Sequence, residues 1–377
     1  MAEREEEVAV DQRPRLKRAA ARGGLRLMRI AAIAALAFVL TSFDSVPRAS
    51  GAGAGARPPL GSVAALSDPL GSWNDGGAKR AILEFVRQTT AAASPHYLPP
   101  GRRVVTFDQD GTLWVEQPLD VEAMFALDRV RALGAGHPEW KKVPALRAVL
   151  DGDSAKVAAF GAQDWEHVIA VTHAGMTTDE FATAVKQWLV TARHPRFNRP
   201  YTDLAYQPMR ELLGFLRASG FRTYIVSGSG QDFVRVYSEE VYGVPPEQVI
   251  GSTMAKRYEY EDGKPVLMRL PDELFVDDNA GKAISIDRFI GARPDAAFGN
   301  SAGDREMLEW TGSGGGARLE MLVLHDDPLR EYAYGPADGL PATRVGAFPE
   351  WLMAEAKYRG WTVISMRNDW RRIFAFE

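Results

Sequence analysis

The chain has no cysteine among its 377 residues. That excludes a disulfide framework, Cys-ligated zinc or iron–sulfur sites, a thiol nucleophile and a thioether lipid anchor. It also lacks a strong charge of either sign. A formal net charge of −4 gives no electrostatic reason to expect a nucleic-acid partner. The apolar run Ile30–Leu40 falls short of the roughly 20 residues a membrane-spanning helix needs. No internal repeat or low-complexity tract is present, and 46% apolar with 25% charged residues describes an ordinary globular chain. At about 150 residues per domain, its length suggests two to three units.

Charge is unevenly spread. Residues 1–50 carry nine Lys/Arg against six Asp/Glu, leaving the remainder at −7. No acid occurs between Asp11 and Asp44, and the basic stretch leads into the Ile30–Leu40 run, which has the length of a secretory h-region. Met28-Arg29 would open a signal of ordinary proportions, so Met28 is the expected start. Adjacent arginines are absent before the run, which removes support for the folded-export route. The small residues of Ser50–Ala56 suit cleavage. The expectation is an exported, periplasmic or secreted protein, tethered to the membrane only if residues 1–56 stay uncleaved, with residues 57–71 as a linker.

Ordered structure is expected from about Ser72, since Ala81, Ile82, Phe85 and Val86 share one helical face. The apolar, β-branched stretch Arg103–Phe107 reads as a buried strand that runs into Asp108-Gln109-Asp110-Gly111-Thr112. Further strands are expected at Phe221–Val226, before Ser227-Gly228-Ser229-Gly230, at Ala296–Phe298, before Gly299-Asn300-Ser301, and at Leu319–Leu324. Helices with Met209, Leu212, Leu213 and Leu216 on one face, and around Lys282–Ile290, alternate with them. This alternation predicts an α/β fold with a doubly wound parallel sheet, its ligand loops at the C-terminal strand ends.

Residues 114–200 break the rhythm. Val121, Met124 and Phe125, then Phe181, Val185, Trp188 and Leu189, have helical spacing, and Thr177 with Glu180 forms a capping-box pattern. A helical cap inserted after the first acidic loop is expected, dividing the core into residues 72–113 and 201–377.

Asp108 and Asp110 lie two apart at a strand end, so alternation points them to one side. Close carboxylates repel and are tolerated when a cation sits between them. With Ser227 after a second strand, Lys282 on a later helix and Gly299-Asn300-Ser301-Ala302-Gly303-Asp304 after a third, the chain resembles the haloacid dehalogenase superfamily in its phosphatase branch, phosphoserine-phosphatase-like with a helical cap. Asp108–Thr112 is similar to that superfamily's DxDGT signature and Gly299–Asp304 to its GDxxxD motif, with Asn300 where aspartate is usual. The resemblance spans most of residues 102–325.

The resemblance implies an Mg²⁺-dependent phosphomonoesterase acting on a small phosphorylated metabolite. Asp108 would be the nucleophile forming an aspartyl phosphate and Asp110 the general acid and base. Lys282 would be catalytic and phosphate-binding, with Thr112, Ser227 and Gly228 also on the phosphate. The metal would be held by Asp108, the Asp110 carbonyl, Asn300 and Asp304. Asp110 disfavours dehalogenation, which needs no acid for an alkoxide. A phosphomutase-type transferase and a non-catalytic exported binding module are the alternatives.

Other residues carry less. Lys264 competes with Lys282 but sits in a hairpin-turn context, and Asp277 and Asp278 read as a helix-starting acidic pair. Lys141, Lys142, Lys156 and Lys186 read as solvated, and the histidines share no metal-ligand spacing. Gly228 and Gly230 are candidates for a phosphate-binding turn ahead of a helix with Phe233 and Tyr237. Trp114 and Glu116 follow the acidic loop, where substrate contact competes with packing for the first and with solvation for the second.

Overall fold

The computed structural model describes residues 68–377. The export segment, its cleavage region and most of the linker lie outside the described residues. Among the described residues, no helix is long and apolar enough to cross a membrane.

Helix α1 (Gly77–Thr90) packs Ile82, Phe85 and Val86 into the core, and a proline-started turn leads to β1 (Val104–Phe107), buried throughout. Five helices and no strand follow: α2 (Val121–Leu133), α3 (Pro144–Leu150), α4 (Ser154–Ala158), α5 (Ala162–His173) and α6 (Thr178–Thr191). The α6 start is a true capping box. Thr177 Oγ1 accepts from the Glu180 N–H at 3.2 Å, and Glu180 Oε2 accepts from the Thr177 N–H at 2.8 Å. Helix α7 (Gln207–Ala218) buries Met209, Leu212, Leu213 and Leu216, then turns through Gly220 at φ 80°, a left-handed conformation that favours glycine, into β2 (Arg222–Gly230). Short α8 (Gln231–Val234) and α9 (Ser238–Tyr242) lead to β3 (Val249–Glu261) and β4 (Lys264–Phe275). The chain finishes as α10 (Ala280–Ile290), β5 (Ala296–Gly299), α11 (Arg305–Gly312), β6 (Leu319–Leu324), α12 (Glu350–Arg359), β7 (Thr362–Ser365) and α13 (Met366–Asp369).

The strands form one sheet in the order β4-β3-β2-β1-β5-β6-β7. Neighbours run parallel except β3 and β4, so the expected doubly wound α/β sheet is present with one antiparallel edge. That edge departs from the parallel reading. β3 pairs with β2 only near its start, then runs on as a hairpin turning at Asp262-Gly263, both at positive φ. The outer length of the hairpin is largely exposed and mixes charges with Tyr258, Tyr260 and Leu267, so burial does not mark it.

The sheet buries apolar residues on both faces, as parallel strands require. Phe107, Ile225, Phe298 and Met321 belong to one cluster, and Val226, Ala297 and Leu322 to another. A third cluster, including Leu127, Val130, Leu146, Val149 and Val168, lies among α2, α3 and α5. Phe125, Phe181, Val185 and Leu189 join the first cluster, tying α2 and α6 to the sheet.

Candidate active site

β1 sits centrally between β2 and β5, so its C-terminal end meets the loops after both. The Asp108 N–H donates to the Phe298 carbonyl at 2.8 Å and fixes the first acid. Alternation puts Asp108 and Asp110 on the wall of one cavity of about 460 Å³. Gln109 points away and donates to the Tyr242 hydroxyl at 2.8 Å. Gly111 has φ 72°, and a Cβ there would collide with Asn300 and Glu116, so the turn admits only glycine.

Lys282, on α10, is 2% exposed and donates to Asp108 Oδ1 at 2.5 Å, Asp304 Oδ1 at 2.7 Å and the Val226 carbonyl at 3.0 Å. Lys264 is exposed on the hairpin, and Lys141, Lys142, Lys156 and Lys186 are exposed as well. One ammonium between two carboxylates stays charged. Burial alone would lower Lys282, but Asp108 and Asp304 outweigh it and hold it above the ordinary lysine value. Two acids share one counter-charge, which leaves negative charge over. Asp108 is accordingly held well above the carboxylate range, by burial first and then by Asp304, with Lys282 opposing.

Asp110 accepts from Trp114 Nε1 at 2.7 Å and from the Ser229 hydroxyl at 2.6 Å. Burial raises its pKa, and these two bonds temper the rise. Trp114 is thus fully buried, stacked on Tyr237 with centroids 4.5 Å apart, and also a partner of Asp110. Packing and site chemistry meet in one residue.

The remaining expected residues divide. Gly228 lines the cavity. Thr112 and Ser227 are fully buried and do not. Thr112 Oγ1 donates to Asn300 Oδ1 at 3.1 Å, and Ser227 Oγ accepts from the Ser229 N–H at 3.1 Å. The Gly230 N–H, a candidate phosphate donor, is taken by Glu122 Oε2 at 2.5 Å, and the helix expected to carry both Phe233 and Tyr237 ends at Val234. Asn300 and Asp304 also lie behind the cavity wall. Asp304 Oδ2 accepts from the backbone N–H groups of Asn300 at 2.9 Å and Ser301 at 3.1 Å, so this carboxylate holds Lys282 and its own loop. Asp277 is buried against Ser285 Oγ at 2.6 Å, and burial pushes its carboxyl up to about 6.

Sequence reasoning did not assign several wall residues. Glu116 is 4% exposed, faces the cavity, and accepts on Oε1 from Asn300 Nδ2 at 2.6 Å and the Tyr334 hydroxyl at 2.7 Å. Burial first, then Asp120, holds it well above its ordinary range. Asp120, beside Asp110 and Glu122, is pushed up to about 8, chiefly by burial. His325 Nε2 donates to the Gly111 carbonyl at 2.8 Å, steadying the acidic loop from behind, with its Nδ1 3.1 Å from Glu331. Arg344 lines the cavity and donates to the Ala158 and Phe160 carbonyls, so it links a late loop to the helical segment. Glu116 and Asp120 were detectable as acids soon after the DxDGT loop; the late-chain contributors carry no local pattern.

The donor set fits a hard divalent cation. Asp108, Asp110, Glu116 and Asp120 all line one cavity, all are held above the carboxylate range, and Lys282 is already shared. Among the described residues, no three acidic or histidine side chains converge as a closed cage. Mg²⁺ asks for none, since it keeps several waters and takes one or two carboxylates together with substrate phosphate.

Comparison with known proteins points the same way as the motifs. The family profile described as haloacid dehalogenase-like hydrolase matches residues 105–309, a little over half of the chain. No curated protein matches. Among solved structures, a protein of unknown function from Bordetella pertussis Tohama I is 20% identical, covers 70% of this chain and 98% of its own, and has a TM-score of 0.43. A protein from Anaerococcus prevotii DSM 20548, also described as functionally unknown, is 15% identical over 66% of this chain and 86% of its own, at 0.45. A phosphoserine phosphohydrolase-like protein from Francisella tularensis subsp. tularensis SCHU S4 is 16% identical over 59% and 88%, at 0.33. With the signature loop at the end of the central strand and the profile matched from β1 through the third motif-bearing loop, the chain belongs to the haloacid dehalogenase-like hydrolases.

Proposed function

We propose that this protein is an Mg²⁺-dependent phosphomonoester hydrolase that works through an aspartyl phosphate on Asp108 and acts on a small phosphorylated metabolite. The observation that carries the reading is the buried Asp108–Lys282–Asp304 cluster beside Asp110 at the mouth of β1. Lys282 holds Asp108 Oδ1, which fixes the carboxylate and leaves Oδ2, to which among the described residues only the Thr112 hydroxyl donates, at 3.5 Å, as the attacking oxygen. Attack forms the Oδ2–P bond as the ester P–O bond breaks. Asp110, its pKa raised by burial, is the acid that passes a proton to the leaving alkoxide. The same carboxylate then takes a proton from the water that displaces phosphate from Asp108, which regenerates both groups. Ser229 and Trp114 keep Asp110 aimed in both steps. Bound Mg²⁺ would offset the negative charge of nucleophile and phosphate, with Asp108 and the Asp110 carbonyl as the ligands the resemblance implies.

A cavity of about 460 Å³, walled on one side by Trp165 and Ile169 of α5, suits a metabolite better than a phosphoprotein loop. Export through the Ile30–Leu40 segment is part of the proposal, and it places the substrate outside the cytoplasm. The test is phosphate release from a panel of phosphate monoesters, with and without Mg²⁺, by parent and Asp108→Asn. Loss of turnover with unchanged thermal stability supports the reading; activity within about tenfold of the parent removes Asp108 from the nucleophile role. Transfer to a second alcohol without phosphate release would identify a mutase-type transferase instead.

A further inference from the structure

In this chain Asn300 occupies the position where the resembled motif usually has aspartate, so one carboxylate expected at the metal is missing. The structure shows where Asn300 is committed. It is 1% exposed and does not line the cavity; its Oδ1 accepts from Thr112, and its Nδ2 donates to Glu116 Oε1 at 2.6 Å. Glu116 stands in front of it. Asn300 and Tyr334 both donate to Oε1, no described side chain donates to Oε2, and the residue lines the cavity with Asp108 and Asp110. Two donors on one oxygen fix the carboxylate and leave the other oxygen for a ligand that accepts electron pairs. Close packing allows this arrangement. Gly111 and Gly346, both at positive φ, approach Glu116 so nearly that a Cβ on either would collide with it. Tyr334 and Gly346 come from beyond the family match, which ends at residue 309.

Resting on the phosphatase reading, we infer that Glu116, and not Asn300, presents the second side-chain carboxylate to the divalent cation, with Asn300 and Tyr334 as its positioning residues. The chain has moved a negative charge from the loop after β5 to the segment after the acidic loop and kept an amide behind it as a hydrogen-bond donor. Aspartate at 300 would place a second anion against Glu116; asparagine bonds to it. The substitution and the glutamate are complementary.

The experiment measures metal binding directly, by calorimetric titration of Mg²⁺ into substrate-free protein dialysed against chelator. Parent, Glu116→Gln, Asn300→Asp and the double variant are compared, and each is checked by thermal unfolding. Charge count governs hard-cation affinity, so Glu116→Gln should weaken Mg²⁺ binding at least about tenfold while changing side-chain volume little. Position 300 lies behind the cavity wall, so adding Asn300→Asp to Glu116→Gln should leave affinity as weak as in Glu116→Gln. A Glu116→Gln variant that unfolds near the parental temperature separates a metal role from misfolding. Glu116→Gln binding Mg²⁺ as the parent does, or a double variant restored to parental affinity, overturns the inference. If parental turnover and its dependence on Asp108 survive in that case, the phosphatase reading stands. A parent that binds no Mg²⁺ overturns the inference and the metal dependence together.

Discussion

Replacing Lys282 by methionine keeps an unbranched apolar stem and removes the ammonium that Asp108 and Asp304 share. Asp304 retains its bonds from the Asn300 and Ser301 backbone, so the loss falls mainly on Asp108. Removing one partner of a buried ion pair costs about 3–5 kcal/mol. For a chain of this length about 2 °C per kcal/mol is appropriate, and a fall in Tm of about 6–10 °C is expected in metal-free buffer at pH 8. The pH dependence is specific. Lys282 is held above the ordinary lysine value, so its stabilisation is complete below about pH 10 and is lost only as pH climbs past the folded value. Between pH 5 and pH 8 it contributes no slope. Asp108 is held above the carboxylate range, so the folded state binds its proton more tightly than the unfolded chain does. That stability is present at low pH and is lost as pH rises through the folded value, which removal of the ammonium moves higher still. The deficit should therefore be smaller at pH 5 than at pH 8. Thermal unfolding of parent and variant with chelator at both pH values measures it; a deficit below 2 °C at pH 8, or a larger one at pH 5, would refute the reasoning.

Ser229→Ala removes a bond that lowers the Asp110 pKa, so the alkaline limb of the pH–rate profile should move to higher pH, and a limb moving the other way would separate Asp110 from the acid role. Tyr334→Phe leaves Glu116 with one donor fewer and should cost about 0.5–1.5 kcal/mol of stability, the net range for an ordinary hydrogen bond; an unchanged Tm in metal-free buffer counts against that bond. Beryllium or aluminium fluoride with Mg²⁺ should inhibit turnover by occupying the phosphoryl position on Asp108, and full activity in their presence would contradict the covalent route. A reporter fused after Ser67 should be exported, and from Met28 at least as well as from Met1; cytoplasmic retention of the shorter fusion would mean that the basic residues before Met28 are required.

The centre of the site was legible because its information is local. The four buried residues of β1 end in alternating acids, and a period of two suffices to place Asp108 and Asp110 on the cavity and Gln109 against Tyr242. Lys282 was legible from its place on the helix before the third motif loop, where turn chemistry disqualified Lys264. What was not legible depends on partners far along the chain. Whether Asn300 faces the cavity or lies behind it is decided by Thr112 and Glu116, more than 180 residues upstream. Tyr334 and His325 reach Glu116 and Gly111 across more than 210 residues with no repeating pattern to announce them. Of the β3–β4 hairpin only the turn beside Lys264 was legible; its strands were not, because its outer half is exposed on the sheet edge, where pairing rather than burial orders it.

The covalent step on Asp108 is tested most directly by trapping it. Parent protein mixed with a turned-over phosphate monoester and Mg²⁺, quenched in acid within the steady state and reduced with borohydride, should yield a peptide with homoserine in place of Asp108, because borohydride reduces an acyl phosphate to the alcohol and leaves free carboxylates alone. Omitting the ester should leave Asp108 intact. Homoserine at position 110 instead, or an unmodified Asp108 during active turnover, would contradict the account.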